Sequence, residues 1–253
     1  MIRVLSLAIA AALLASAAAG DAQPRGRRGP AGPDMPNPSA VVAAELGFAR
    51  LAQEKGQWTA FRETADKDAV MFVPDAVNAQ SWLKKRADPP KALAWQPYRV
   101  VVSCDGGYAL STGPWTGPNG QSGTFNTIWR RQSDGSFKWI LDFGSDAKTP
   151  RQEDPIIDGK VAQCGRGRAM MGPDRDGPSA GERRRDRKAD EKAREKAELI
   201  PNPPPLSGEG RSADGSLRWR WIKGATENSF EVTTREGDSE RTVTRVVVPV
   251  AAR

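Results

Sequence analysis

The chain of 253 residues contains no histidine, and it has only two cysteines and two tyrosines. Without histidine it cannot build a serine–histidine–aspartate triad or a histidine-ligated metal site. It also lacks the side chain that most often titrates near neutral pH. A Gly-Lys-Thr phosphate loop, a dinucleotide-type glycine fingerprint and a Cys-x-x-Cys motif are missing as well. We therefore expect neither a metal nor a cofactor.

The residues that are present are those of a folded protein. Apolar side chains make up 38% of the chain and charged ones 27%, and 25 glycines add to the apolar share, so wholesale disorder is excluded. The length corresponds to one or two domains with a core of their own. Lysine and arginine total 38 against 31 acidic residues, which gives a net charge of +7.

The first 22 residues have the pattern of a secretory signal peptide. Arg3 precedes an apolar, alanine-rich run over residues 4–20, and small residues that suit a signal peptidase follow. We expect cleavage, no stable membrane anchor afterwards, and a periplasmic or secreted protein. Residues 23–38, rich in proline, glycine and arginine, are predicted to be a disordered linker. Because nucleic acid is a poor partner for an exported protein, we expect none.

The two cysteines are Cys104 and Cys164. In an oxidising compartment an even pair favours a disulfide. Two cysteines carry no spacing signature, however, so two separate buried thiols are the alternative. The sequence leaves both readings open.

Helical patterns come first after the linker. Ser39 is predicted to cap the first helix and Gly56 to end it. A second short helix, a short apolar run over residues 70–73 and a helical piece over residues 80–86 follow. In the first helix the apolar repeat predicts a buried face from which Glu45 points away. That face consists of Val41, Ala44, Phe48 and Leu51.

From Trp95 onward the apolar period changes to two. The short turns between the strands predict an antiparallel meander, and helices followed by such a meander predict an α+β fold. Strict alternation places Trp129 on one face with Phe125. It likewise groups Trp139 with Phe137 and Leu141. The predicted strands cover residues 98–102, 108–112, 124–131 and 137–143.

The composition changes after residue 146. Residues 147–181 are predicted to be a flexible connector. Residues 182–200 alternate opposite charges at helical spacing and predict a charged helix, either a solvated spacer or a helix that binds a partner or a polyanion. Residues 201–253 are predicted to be an antiparallel β extension with three strands. Because three short strands are marginal alone, we expect them to lean on the first domain or on a partner.

Three stretches within residues 39–146 form a recognisable set: Leu-Gly-Phe-Ala-Arg at 46–50, Asp-Ala-Val-Met-Phe at 68–72, and the hairpin over 128–142. With this order of parts the segment resembles the nuclear transport factor 2-like superfamily, in particular SnoaL-like proteins and related exported bacterial domains of unknown function. The resemblance implies a cone of three helices wrapped by a curved antiparallel sheet, with a pocket at its open end. It also implies a homodimer through the sheet. Members include isomerases, cyclases and dehydratases that use Asp, His or Tyr in the pocket.

In this sequence the groups left for proton chemistry in such a pocket are carboxyl and phenol groups. Asp142, flanked by apolar residues on a strand, is the best candidate for a catalytic base, and Tyr108 is a candidate donor beside it. A hydrogen-bonded structural role for Asp142 is the alternative. Aromatic walls with a few polar groups suit a small apolar ligand, although core packing also accounts for most of the aromatic residues. The candidate ligand-binding residues are Phe72, Trp82, Trp95, Trp115, Asn126 and Trp139.

The sequence leaves three functions open. The missing catalytic signature favours an exported protein that binds a small apolar ligand or has a non-catalytic role in the envelope. A small-molecule isomerase or dehydratase using a pocket Asp and Tyr is the second reading. The third is an envelope interaction module that docks a partner through its charged helix and β extension.

Overall fold

The computed structural model describes residues 35–147, 156–165 and 207–250. Its helices come near the N-terminal end of this part of the chain. They are α1 (Pro38–Lys55), α2 (Gln57–Thr64) and α3 (Ala79–Leu83). The cap of α1 is Asn37, whose Oδ1 accepts a hydrogen bond from the Ser39 N–H at 3.0 Å. The prediction of Ser39 as the cap is therefore wrong by two residues: with Asn37 as the cap, Pro38 stands in the first turn, where its missing N–H costs nothing.

The helices pack on a sheet of eight strands. Its order is β2-β1-β7-β6-β5-β4-β8, and β3 pairs with β5. Strands β4 to β7 pair antiparallel, which confirms the predicted meander. Two parallel pairings, β1 with β7 and β4 with β8, were not predicted. The strands are β1 (Ala65–Phe72), β2 (Ala76–Asn78), β3 (Ala94–Trp95), β4 (Arg99–Val102), β5 (Tyr108–Thr116), β6 (Ser122–Arg131), β7 (Phe137–Asp146) and β8 (Asp158–Val161).

A second sheet of four antiparallel strands follows, in the order β12-β11-β10-β9. Three of its strands match predicted ones, and β9 was missed because its sequence, Ser-Gly-Glu-Gly-Arg, lacks β-forming residues. Gly208 and Gly210 leave room for two tryptophan rings that lie directly against them. A Cβ on Gly208 would lie 2.5 Å from the Trp221 Nε1, and one on Gly210 would lie 2.2 Å from the Trp219 ring. The strands are β9 (Ser207–Arg211), β10 (Leu217–Lys223), β11 (Glu227–Glu236) and β12 (Ser239–Pro249).

The second sheet packs on the face of the first sheet that points away from the helices. Phe230 stacks on Phe143 with ring centroids 5.4 Å apart, and the ring of Trp219 lies 5.0 Å from that of Tyr108. These contacts confirm the prediction that the β extension packs against the first domain. The homodimer through the first sheet stays a prediction, and in the described residues the face that it would use is covered by the chain's own second sheet.

A disulfide lies beside the junction of the two sheets. Cys104 and Cys164 are bonded, with their Cα atoms 5.2 Å apart, so the reading of two separate thiols is wrong. The Cys104 N–H also donates to Ser216 Oγ, at 2.8 Å, from the turn before β10. The bond holds the stretch after β8, and β8 itself shows that the segment 147–181 is not a flexible connector throughout.

A β-bulge in β7 reverses the orientation of its side chains. Ile128 pairs with Leu141, whereas Trp129 pairs with Trp139, so Ile140 is the extra residue. Trp139 therefore lies under the helices, while Leu141 packs toward the second sheet. The prediction that these two residues share a face is wrong, because strict alternation cannot anticipate a bulge.

Some predicted features lie wholly or mostly outside the described residues: the signal peptide over 1–22, most of the linker over 23–38, and the charged helix over 182–200. Among the helices that are described, none has the length and hydropathy required to cross a membrane.

Candidate functional site

A cavity of about 270 Å³ lies between the helices and the first sheet, and it reaches the edge of the second sheet. Its wall is mainly apolar, and most of the apolar residues are aromatic. The helices α1 and α2 contribute Phe48, Trp58 and Phe61, and the strands contribute Phe72, Trp95 and Trp115 among others. Water gains little from contact with such a wall, so the cavity favours an apolar occupant.

Asp142 supplies a carboxyl group to this apolar wall. The bulge at Ile140 turns its side chain toward the helices, where it is partly exposed to the cavity. Its Oδ2 accepts a hydrogen bond from Thr127 Oγ1 at 2.9 Å. The pKa of Asp142 is raised to about 7: burial raises it, the hydrogen bond from Thr127 opposes the rise, and the charge of Glu45 adds to it. Near neutral pH the carboxyl group is therefore present in both protonation states.

Glu45 is a second buried carboxyl group, placed by α1 behind the cavity wall. Its Oε1 accepts from Trp95 Nε1 at 2.8 Å, and its Oε2 accepts from Trp129 Nε1 at 3.0 Å and from the Ser111 hydroxyl. Burial raises the pKa of Glu45 in spite of these three donors. Because Trp95 lines the cavity, this network holds part of the wall in place.

Glu45 lies on the buried face of α1, so the prediction that it points away from that face is wrong. The fully buried positions of the helix are Val41, Glu45, Phe48 and Ala52, which are spaced by four, three and four residues. This spacing is as regular as the predicted one. A charged residue with apolar neighbours at i−4 and i+3 was therefore the available signal, and the assumption that glutamate faces solvent hid it.

The predicted pairing of Asp142 with Tyr108 is wrong. Tyr108 lies at the other face of the sheet against Trp219, so the two side chains are separated by the sheet itself. Neither Tyr108 nor Tyr98 lines the cavity. Asp142 therefore has Thr127 as its hydrogen-bond partner in the described residues, and no phenol beside it.

Three of the predicted ligand-binding residues, Phe72, Trp95 and Trp115, line the cavity. Trp82 does not: it packs on Trp58 outside the cavity lining, with the Arg86 guanidinium 3.4 Å from its ring centroid. These aromatic residues therefore divide between the wall of the cavity and its surroundings.

Two further predicted ligand-binding residues have structural contacts instead. Trp139 is buried in the core and donates from Nε1 to Thr64 Oγ1 at 3.0 Å. Asn126 faces the second sheet, where its Oδ1 accepts from Thr244 Oγ1 at 3.3 Å. Alternation along β6 explains Asn126, because its neighbour Thr127 is the residue that points into the cavity.

The structure also bears on metal binding. In the described ranges no group of three or more Asp, Glu or Cys side chains is placed to hold a metal ion.

No protein-family model and no curated protein matches the chain. Several solved structures are similar to part of it, and two of them show the extent of the similarity. One, from Parabacteroides distasonis and described as a "putative ketosteroid isomerase", shares 18% identity over 46% of this chain and 98% of its own, with a TM-score of 0.35. The other, from Novosphingobium aromaticivorans and described as a "putative aromatic ring hydroxylase", shares 12% identity over 45% of this chain and 91% of its own, with a TM-score of 0.34.

The first part of the chain has the parts that the family resemblance implied. Three helices lie on one face of a sheet whose central strands form an antiparallel meander, and a pocket lies between the two layers. The α+β arrangement that the resemblance implied is therefore present in this part of the chain.

Proposed function

We propose that this protein binds a small, mainly apolar ligand whose one polar group meets Asp142. The observation that carries the proposal is a partly exposed carboxyl group with a pKa near 7 in an aromatic cavity. The aromatic wall supplies affinity through apolar burial, and the carboxyl group orients the ligand.

The size of the cavity limits the ligand. Sites for drug-sized molecules measure about 300–1,000 Å³, and this cavity lies just below that range. A ligand of up to three rings or a short chain therefore fits this volume. A carbonyl group on the ligand needs the protonated form of Asp142, which prevails below pH 7, whereas a hydroxyl or amino group binds better to the ionised form.

The test is a titration with N-phenyl-1-naphthylamine, a neutral apolar dye with one N–H donor, followed by its fluorescence. Gly144 lines the cavity, and a Cβ placed on it meets no atom within 4 Å. Gly144→Leu should therefore fill the cavity without a clash and weaken dye binding at least tenfold. Gly47 on α1 has the same open space but lies outside the cavity lining, so Gly47→Leu is the matched control.

The proposal also predicts how the affinity for the dye depends on pH. The dye should bind more tightly above pH 7 than below it, because its N–H donates to an ionised carboxyl group. Absence of saturable binding to the unmodified protein, or equal affinities for the two glycine variants, would show that the cavity is not the ligand site.

A second candidate function is proton transfer, because a base with a pKa near 7 is well matched to neutral pH. On a small unsaturated ketone, Asp142 would take a proton from the carbon between the carbonyl group and the double bond. It would return that proton to the far carbon of the double bond, so that the net change is an isomerisation.

Conversion of 3-cyclohexenone to its conjugated isomer, followed by ultraviolet absorbance, tests this second candidate. The rate should rise with pH to a plateau above 7, and Asp142→Asn should abolish it. Asp146→Asn changes an exposed carboxyl group at the mouth of the same cavity and is the control. Equal rates for Asp142→Asn and the unmodified protein would eliminate this function.

We also propose that the protein acts outside the cytoplasm, in the periplasm or beyond. The apolar leader supports export, and the Cys104–Cys164 bond suits an oxidising compartment. Cell fractionation with N-terminal sequencing of the recovered protein checks this location. A protein that stays in the cytoplasm with residues 1–22 attached would contradict it.

A further inference from the structure

A second cavity, of about 210 Å³, lies between the first and second sheets. It shares no lining residue with the aromatic cavity described above. Strands β4 and β8 of the first sheet supply Arg99 and Lys160 to it, and strands β11 and β12 of the second sheet supply Arg235 and Arg241. We call it the interstrand cleft. Since each sheet provides two cationic side chains, the cleft exists only when the sheets are packed together.

The carboxylates around the interstrand cleft do not balance its cations. Asp158 lies 3.4 Å from Arg99 and 2.9 Å from Lys160, and Glu236 lies 3.6 Å from Arg241. Among the described residues, four cationic side chains thus face two carboxylates. The unbalanced charge of +2 is close to what a doubly charged anion would neutralise.

Arg235 is the cation of the cleft for which the described part of the chain shows no counterion. Its guanidinium is partly buried, and it forms no ion pair with any residue in the described ranges. A Cβ placed on Gly165 would lie 2.7 Å from Arg235 Nη1, so the guanidinium lies close against the Gly165 backbone. A partly buried charge without a partner is unfavourable, and an anion in the cleft would relieve it.

Neutral groups around the cleft add hydrogen-bond donors. The Gln163 Oε1 accepts from the Gly237 N–H at 2.8 Å, which leaves the Gln163 amide N–H groups as donors. The Arg99 Nε makes no hydrogen bond within the described residues although it lies near Asp158. Hydroxyl groups of Thr234 and Thr242 complete the lining.

We propose that the interstrand cleft binds a phosphate-type oxyanion, either free or as the headgroup of a larger molecule. Arginine binds phosphate oxygens in pairs through its planar fork, and charge-assisted bonds of this kind are about twice as strong as neutral ones. The small volume suits one or two phosphate groups and excludes a drug-sized molecule. The proposal uses none of the residues of the aromatic cavity and does not depend on the function proposed for it.

The test is isothermal titration calorimetry of the full mature chain with sodium pyrophosphate at 150 mM NaCl. One saturable site is expected. Arg235→Gln should weaken binding at least tenfold. Arg220→Gln, which removes an arginine paired with Glu231 on the outer face of the second sheet, should change it less than twofold. Because both variants lower the net charge by one, general attraction of anions would weaken both equally and overturn the proposal.

A second variant and a second ligand complete the experiment. The Lys160 side chain is 64% exposed, so Lys160→Gln cannot disturb the core, and it should weaken binding about threefold. Soluble dihexanoyl phosphatidic acid distinguishes the two sources of the phosphate group. Tighter binding than pyrophosphate assigns a headgroup, and weaker binding assigns a free anion. Absence of saturable binding for both ligands would overturn the proposal.

Discussion

The two faces of the first sheet enclose different kinds of side chain. The face under the helices encloses two carboxyl groups, Glu45 and Asp142, and a cavity. The face under the second sheet is filled by apolar residues such as Ile128 and Leu141. Packing of the second sheet stabilises the fold through one face of the first sheet. That stability offsets the cost of the buried carboxyl groups and of the unfilled cavity at the other face.

The largest expected effect comes from the apolar face. Phe230 is fully buried and stacks on Phe143, so Phe230→Ala should lower the free energy of unfolding by about 4 kcal/mol. Denaturant unfolding measures this loss. Val247→Ala, at a side chain that is 44% exposed, should cost less than about 0.5 kcal/mol. Similar losses for both variants would mean that the second sheet is not packed on the first.

Glu45→Leu should produce the next largest effect, at the polar face. It leaves the indole N–H of Trp95 without its acceptor and removes one from Trp129, so we expect a loss of about 3 kcal/mol. It should also lower the pKa of Asp142, since the Glu45 charge raises it. Glu54→Leu on the exposed side of the same helix is the control for stability. An unchanged Asp142 titration, followed by carboxyl infrared absorbance, would contradict the coupling.

Asp142→Asn is expected to stabilise the protein above neutral pH. The folded-state pKa of Asp142, about 7, lies above the unfolded value of about 3.9. The folded state therefore holds a proton that the unfolded state has lost, and stability falls as the pH rises from about 4 to 7. Three pKa units correspond to about 4 kcal/mol, which we halve to about 2 kcal/mol because the side chain is partly open to water.

Unfolding at pH 4 and at pH 8 checks this prediction. The variant should gain about 2 kcal/mol at pH 8 and almost nothing at pH 4. Asp146→Asn should match the unmodified protein at both values. A gain of the same size at both pH values would show that titration of Asp142 is not its source.

The smallest expected effect compares two neighbours on β6 that face opposite ways. Asn126→Ala should cost about 1 kcal/mol, through its bond to Thr244, and leave dye binding unchanged. Thr127→Val should instead raise the pKa of Asp142, because the Thr127 bond lowers it, and shift the pH dependence of dye binding upward. Loss of dye binding in Asn126→Ala would instead show that Asn126 takes part in ligand binding.

The sequence was sufficient for the features that depend on near neighbours in the chain. The strands of the meander follow from alternation and short turns, and their antiparallel pairing follows from the lengths of those turns. Asp142 could be selected because it is a carboxylate between two apolar residues on a strand. Phe72, Trp95 and Trp115 could be selected as aromatic residues of the right domain.

The features that failed depend on contacts between distant parts of the chain. Strand β8 pairs with β4 in parallel across some sixty residues, and no local pattern in Asp-Gly-Lys-Val predicts that. Glu45 is buried because Trp95, Trp129 and Ser111 all come to it from the sheet. Tyr108 and Asn126 were placed in the pocket because the sequence does not tell which face of a strand the helices will cover.

The extra residue at Ile140 has a consequence for how such a chain can change in evolution. Loss of that one codon would restore strict alternation and still leave Leu141 toward the second sheet and Asp142 toward the cavity, because Trp139 and Leu141 already pair with adjacent residues of β6. A substitution at Asp142 removes the carboxyl group of the cavity, whereas a deletion of the bulge residue turns no other side chain of β7 to the opposite face. Position 140 is therefore a place where β7 can gain or lose one residue and keep the same side chains in this pocket.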